Sequence, residues 1–213
     1  MSDLMLDVDQ AGELKAAFRR GNWSNALIKL FCEGDFSFQV KEVLEGNATI
    51  VACPLLQLVN TITCAPTAFP FMASEHFVCG TGPDARVKVS YLGDNFRAWF
   101  LTKTEEPKGE TVLRYAKLRK SSVDAPIIAE LGGEEKAETS LCEVFLLMEL
   151  QKHGEDGILL TSGWANLFYI RDLALVLRAV GVDWNGGGWC VDAYSTEYPS
   201  TWDVGRRVFS RNS

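Results

Sequence analysis

The sequence predicts an α+β fold, with a mainly helical N-terminal half followed by a long helix packed on an antiparallel β-meander. Two observations carry this. Leu141, Val144, Phe145 and Met148 sit at i, i+3, i+4 and i+7, one apolar stripe on a helical period. From Ile158 to Phe209, short runs rich in β-branched and aromatic residues alternate with turn formers.

The helix has a start and a stop. Ser140 and Glu143 fit the capping box, in which each side chain satisfies one orphan amide. Lys152 and His153 suit the negative end of the dipole, and Gly154 suits the left-handed C-cap. The strands expected after it are Ile158–Leu160, Asn166–Ile170, Leu175–Trp184, Gly188–Tyr194 and Arg207–Phe209. Their turns fall at Ser162-Gly163, Arg171-Asp172, Asn185-Gly186-Gly187 and Tyr198-Pro199. Spacers this short demand antiparallel neighbours, because a parallel crossover needs a dozen or more residues.

Earlier in the chain, residues 1–9 are acidic and expected to fray. Ala11–Arg20 reads as a helix ended by Gly21, and Ser24 caps a second helix running through Leu30. Phe36–Leu44 fits a strand or a helix equally. Ile50–Met72 carries Pro54, Pro66 and Pro70 and so cannot be one helix; it suits a short helix over Leu55–Ile62 with an irregular loop, or the cover of an apolar pocket. The breaker cluster Gly80–Asp84 marks the expected boundary between a helical region, 1–83, and a β-rich domain, 84–213, as two domains or as parts of a single one. Arg86–Leu92 alternates like a strand, turning at Gly93-Asp94-Asn95 and returning over Phe96–Thr102 as a hairpin. Glu105–Glu110 reads as solvated, and Gly132–Glu138 as a polar approach to the long helix.

The chain has 213 residues, 47% hydrophobic and 23% charged, with a formal charge of −7. That acidity opposes bulk nucleic-acid binding, which depends on displacing counterions from phosphates. Ala48–Leu58, the longest apolar run, is broken by Pro54 and too short for a membrane span. Met1-Ser2-Asp3 is acidic where an export signal is basic. The six cysteines are therefore expected to be reduced thiols in a cytoplasmic protein, with no membrane partner.

Tyr91–Phe96, Trp99-Phe100-Leu101, Leu113-Arg114-Tyr115, Lys117–Pro126, Ala193-Tyr194-Ser195, Tyr198-Pro199, Trp202 and Arg207–Arg211 together resemble short uncharacterised bacterial proteins of the candidate-phylum type. The resemblance covers roughly the last 120 residues. It implies a bacterial intracellular origin and carries over no function.

Several constellations could carry chemistry. Cys190 and Asp192, with His153 (or His76, the only other histidine) as base, would make a hydrolase or transferase site, since a thiol nucleophile needs an imidazole to take its proton. A half-buried strand cysteine explains Cys190 as well, because no helix N-terminus lowers its pKa. Asp183 and Asp192 could share a cleft if the hairpin register faces them together, and a slip of one residue removes that. Glu143 and Glu149 flank the helical stripe. Cys53, Cys64, His76 and Cys79 could form a Cys₃His zinc site, but structural zinc favours paired knuckles and only H-x-x-C is present. Gly186-Gly187-Gly188 is followed by no helix and is a turn, not a phosphate cradle. No cofactor is expected.

Arg114, Lys117, Arg119 and Lys120 form one basic group, and Arg206, Arg207 and Arg211 a second beside aromatics, which would suit single-stranded nucleic acid if they shared a face. The sequence favours a non-catalytic binding or regulatory protein. Its expected contact surface is Trp189, Tyr194, Tyr198, Trp202, Arg206 and Arg207, facing another protein or a small ligand.

Overall fold

The computed structural model describes residues 7–33, 36–50, 53–198 and 201–212. The chain divides into two units, Met1–Cys53 and Pro54–Ser213. The first contains α1 (Val8–Arg20), α2 (Asn25–Cys32) and α3 (Phe36–Leu44). Asp7 and Gln10 close a reciprocal capping box on α1, with the Gln10 amide donating to Asp7 Oδ1 at 2.7 Å. Ser24 caps α2 as expected. Phe36–Leu44, open in the sequence, is helical. Phe18, Trp23 and Phe31 gather with centroids 4.9–5.8 Å apart, yet none of the three helices contains a buried residue. The terminal residues 1–6 lie outside the described residues, and α1 begins at Val8.

The second unit runs through β1 (Leu56–Cys64), β2 (Phe71–Met72), α4 (Ala73–His76), β3 (Val89–Leu92), α5 (Asp94–Phe100), β4 (Thr104–Glu105) and β5 (Thr111–Leu118). It continues with α6 (Asp124–Leu131), α7 (Glu134–Ala137), α8 (Leu141–Leu150), β6 (Asn166–Arg171), β7 (Leu177–Asn185), β8 (Gly188–Ser195) and β9 (Arg207–Arg211). Seven strands form one mixed, mostly antiparallel sheet in the order β1-β5-β9-β6-β7-β8-β3, and β2 pairs with β4 as a separate ribbon. The α+β class is thus as the sequence predicts.

The expected meander is present as β6-β7-β8. Asn185 pairs with Gly188, so Gly186 and Gly187 make the two-residue turn, with φ of +64° and +81°. The last strand leaves the meander. After eleven residues β9 enters the middle of the sheet, antiparallel to β5 and parallel to β6. Packing decides this: Phe209 stacks on Phe168 at 4.4 Å and on Tyr115 at 5.5 Å. The Tyr198-Pro199 turn reaches beyond the described residues at Pro199.

Helices cover both faces of the sheet, where one was expected. Phe168, Ile170, Val180, Val182, Trp189 and Val191 pack with α8, α5 and α4. Leu167, Tyr169, Ala179 and Val208 pack on the opposite face with Ile127 and Leu131 of α6 and Ala137 of α7. This double burial explains why β6 reads as continuous apolar sequence. Leu141, Val144, Phe145 and Met148 are buried as the stripe predicts, and so are Cys142, Glu143 and Leu147. The Glu143 carboxylate accepts from the Ser140 amide and hydroxyl, both at 2.8 Å. The helix stops at Leu150, before Lys152 and His153; Gly154 does turn left-handed, φ +78°, but in the following loop against Trp184.

Four further expectations are corrected. Leu55–Ile62 is not a helix: from Leu56 the chain is a nine-residue strand paired along β5, as its Val59, Thr61, Ile62 and Thr63 favour. Residues 54–83 fall in the second unit, with β1 in its sheet and β2 and α4 beside it. Phe96–Thr102 is no return strand. Phe96 and Phe100, four apart and fully buried, form one helical face, and Asn95 ties α5 to the Ala193 carbonyl at 3.0 Å. Ile158–Leu160 is not a strand either. Its backbone bonds go to side-chain amides, each supplying a donor and an acceptor as a strand would: Gln151 takes both polar groups of Leu159, and Asn166 both of Leu160. Glu105 is not solvated; it accepts from the Leu141 and Cys142 amides at 3.0 Å each.

The exposed edge of β1 is guarded. Glu130 accepts from the Leu55 and Leu56 amides at 2.7 Å, Asn60 Oδ1 takes the Thr61 amide, and a bulge interrupts the register between Leu58 and Asn60.

Candidate binding cleft

The aromatic contact surface expected from the sequence does not assemble. Trp189 is fully buried and its indole donates to the Gln151 carbonyl at 3.2 Å. Trp202 is 4% exposed, packed edge-on against Tyr194 and bonded to Asp124. Tyr198 is exposed, Tyr194 half-buried. Arg206 lies over the rings of Trp164 and Trp202, at 5.5 and 5.3 Å, while Arg207 donates to the carbonyls of Gly157 and Ile158. An indole whose N–H finds an internal partner is a core side chain, and the spacing of tryptophans along a strand cannot show that.

The two basic groups are split between the faces of the sheet: Lys117 sits opposite Arg207 in the β5-β9 ladder, but Arg114 and Arg211 point to opposite sides. Arg114 donates to the Leu131 carbonyl at the end of α6, whereas Arg211 donates to Glu143 of α8, across the sheet.

Part of the catalytic constellation does come together. Asp183 faces Cys190 across the β7-β8 ladder, and Asp192 lies two residues further along the same face. The chemistry is wrong for a nucleophile. Burial raises the Cys190 thiol, the Ser90 hydroxyl at 3.3 Å partly opposes this, and the Asp183 charge raises it again. Asp183 is itself raised by burial, lowered by Arg206 and raised by Asp192. The His153 ring bonds neither Cys190 nor Asp192 among the described residues; its backbone amide donates to the Glu155 carboxylate at 2.9 Å. Glu143 is held by Thr111, Ser140 and Arg211. Among the described residues no group of three or more His, Cys, Asp or Glu is placed to hold a metal ion, and Cys53, Cys64 and Cys79 are free thiols.

What the second unit does offer is a cleft of about 550 Å³ between α4, the 80–87 loop and α8. Its loop is closed at the base by reciprocal backbone bonds between Gly80 and Val89, at 2.8 and 3.0 Å. The floor is aromatic. His76, at the end of α4, stacks on Phe71 at 4.2 Å and meets Phe145 of α8 at 4.8 Å. Arg86 reaches over Phe145, fixed by two bonds to Glu149 at 2.5 and 3.1 Å. Glu75 and Asp84 line the wall. Burial and the Arg86 charge lower the His76 pKa, against Glu75 and Glu149, so the ring is neutral at pH 7. Its nitrogens bond no described residue, leaving one donor and one acceptor for a ligand.

Counting Arg86 against Glu149, the wall retains the negative charges of Glu75 and Asp84. The arrangement suits a small cationic group held by these two carboxylates beside the partly exposed His76 ring.

The sequence contained both halves of this cleft under other readings. Gly80–Asp84 was legible as a breaker but forms a wall, not a boundary; His76 was legible as half a metal knuckle but is a stacked ring. Phe145 was visible only as a core residue. Among the described residues no helix is long and apolar enough to cross a membrane. No protein-family model, curated protein or solved structure matches this chain.

Proposed function

We propose that this chain is a non-catalytic binding protein whose second unit takes a small organic cation in the His76 cleft. The observation that carries the reading is the pairing of an aromatic floor, His76 on Phe71 and Phe145, with the unneutralised carboxylates of Glu75 and Asp84 in one ligand-sized concavity. The net charge of −7 favours approach of cations over anions. The protonated, unassisted Cys190 supports binding over covalent chemistry.

The test is a titration followed by NMR with benzamidine, its neutral counterpart benzamide, and benzoate. Benzamidine is expected to shift the resonances of His76 and of residues 80–86, benzamide to bind at least about tenfold more weakly, and benzoate not to bind. Asp84→Asn and Glu75→Gln should each weaken benzamidine. Equal binding of all three probes, or shifts remote from His76, would refute the assignment.

A further inference from the structure

Granted that the His76 cleft takes a cation, its lining fixes how much charge that cation carries. Arg86 is taken up by Glu149, through bonds at 2.5 and 3.1 Å. The His76 ring is neutral at pH 7. Glu75 and Asp84 are exposed and form no ion pair among the described residues. Two negative charges therefore stand in one concavity, and a single positive charge answers only half of them.

The two carboxylates come from different elements, Glu75 from α4 and Asp84 from the 80–87 loop. The surface that accompanies them is apolar. Val78, 57% exposed, lines the cleft with Ala85, Val87 and the glycines Gly80 and Gly82. Among the described residues that line it there is no side-chain hydroxyl or amide, so a sugar would bring hydroxyls with few partners. Methylene groups meet no such penalty. A divalent metal ion would match the charge but not the coordination. Such ions take about six to eight oxygen ligands, and among the described residues no three His, Cys, Asp or Glu are placed together to hold one.

We infer that the cleft selects a short linear diamine, whose two ammonium groups neutralise Glu75 and Asp84 and whose methylene chain lies on the apolar surface of Val78 and Ala85. The cleft volume of about 550 Å³ leaves room for the chain and both its ends. The chain's net charge of −7 draws a dication more strongly than a monocation. Each ammonium meets an exposed carboxylate, so the second charge adds a modest, salt-sensitive gain.

The test is a titration of the full chain, followed by NMR and calorimetry at low salt and about pH 7.5, where His76 is neutral and amines are charged. The probes run from 1,3-diaminopropane to 1,6-diaminohexane, each against the monoamine of the same length, with benzamidine as reference. At least one diamine should bind about fivefold or more tighter than its monoamine, both shifting His76 and residues 80–86, and added salt should narrow the gap. In the Glu75→Gln/Asp84→Asn double variant the gap should fall to about twofold, the statistical advantage of two equivalent ends. Both side chains are exposed, so the variant keeps its fold, which near-UV circular dichroism checks. Monoamines and benzamidine that shift His76, with no diamine more than about twofold tighter, would overturn the inference and leave the cation site standing. A diamine preference that survives in the double variant would also overturn it. If neither the amines nor benzamidine shift His76, the cation site itself falls, and the diamine with it.

Discussion

The indole of Trp202 donates a 2.7 Å hydrogen bond to Oδ1 of Asp124, and the Tyr169 hydroxyl donates to the same oxygen at 2.9 Å. All three side chains are buried, and Asp124 Oδ2 has no partner. This triad fastens the β8–β9 connection and the start of α6 to the middle of the sheet.

The triad makes stability depend on pH. Burial raises the Asp124 pKa, and the bonds from Trp202 and Tyr169 only partly offset that. A carboxyl whose folded pKa lies above its unfolded value stabilises fully below the unfolded pKa of ~3.9, and this contribution is lost as pH rises through the folded pKa. Urea unfolding of the wild type and Asp124→Asn should therefore diverge in pH dependence. The wild type is expected to lose ground to the variant as pH rises through the carboxyl range. Trp202→Phe should cost about 1–3 kcal/mol by leaving the carboxyl short of a donor, and parallel pH profiles for wild type and Asp124→Asn would contradict the account.

Glu105 anchors the other side of the unit. Its two bonds to the first amides of α8 join the β2-β4 ribbon to the core helix, and its side chain is 12% exposed. Glu105→Ala should destabilise by about 1–2 kcal/mol. Glu105→Gln, which keeps an acceptor, should cost less. Chemical denaturation read by circular dichroism separates the two.

The thiols should react in two classes. Burial first, then the Glu143 charge, pushes Cys64 up to about 11; burial and then Glu105 do the same for Cys142. Cys32, Cys53 and Cys79 are exposed. Iodoacetamide at pH 8 followed by peptide mass mapping should label the exposed three at least about 100-fold faster than Cys64 and Cys142, since only thiolate reacts. Cys190 should lag behind the exposed three as well. Preferential labelling of Cys190 would revive a nucleophilic role.

In the cleft, protonating His76 adds a positive charge beside Arg86, against Glu75, Asp84 and Glu149. Benzamidine affinity should fall about three- to tenfold as pH drops through the His76 pKa, which lies below its ordinary value near 6.5. Calorimetric titration between pH 8 and 5 should show the loss in the wild type. His76→Asn should flatten it, and an unchanged profile in that variant would place the titrating group elsewhere.

Local patterns carried far. The stripe of α8, its capping box at Ser140, the α1 and α2 helices and the turn at Gly186-Gly187 were all readable, because each is decided by neighbours within four residues. The errors lie where a local pattern suited two answers. Phe96 and Phe100 fit a strand or a helix by spacing, and docking on β8 chose the helix. Leu56–Ile62 fit either, and the ladder to β5 chose the strand.

By itself, then, the sequence determined the α+β class, the capped start and apolar stripe of α8 and the three-strand meander, since hydrogen-bond geometry and side-chain period act over short range. Tertiary structure alone decided that β9 enters mid-sheet, that Trp189 and Trp202 turn inward, and that His76, Arg86 and Phe145 share one cleft. Those outcomes depend on which distant surfaces find complementary shape and on where a buried N–H finds an acceptor, and the order of residues along the chain carries no sign of that.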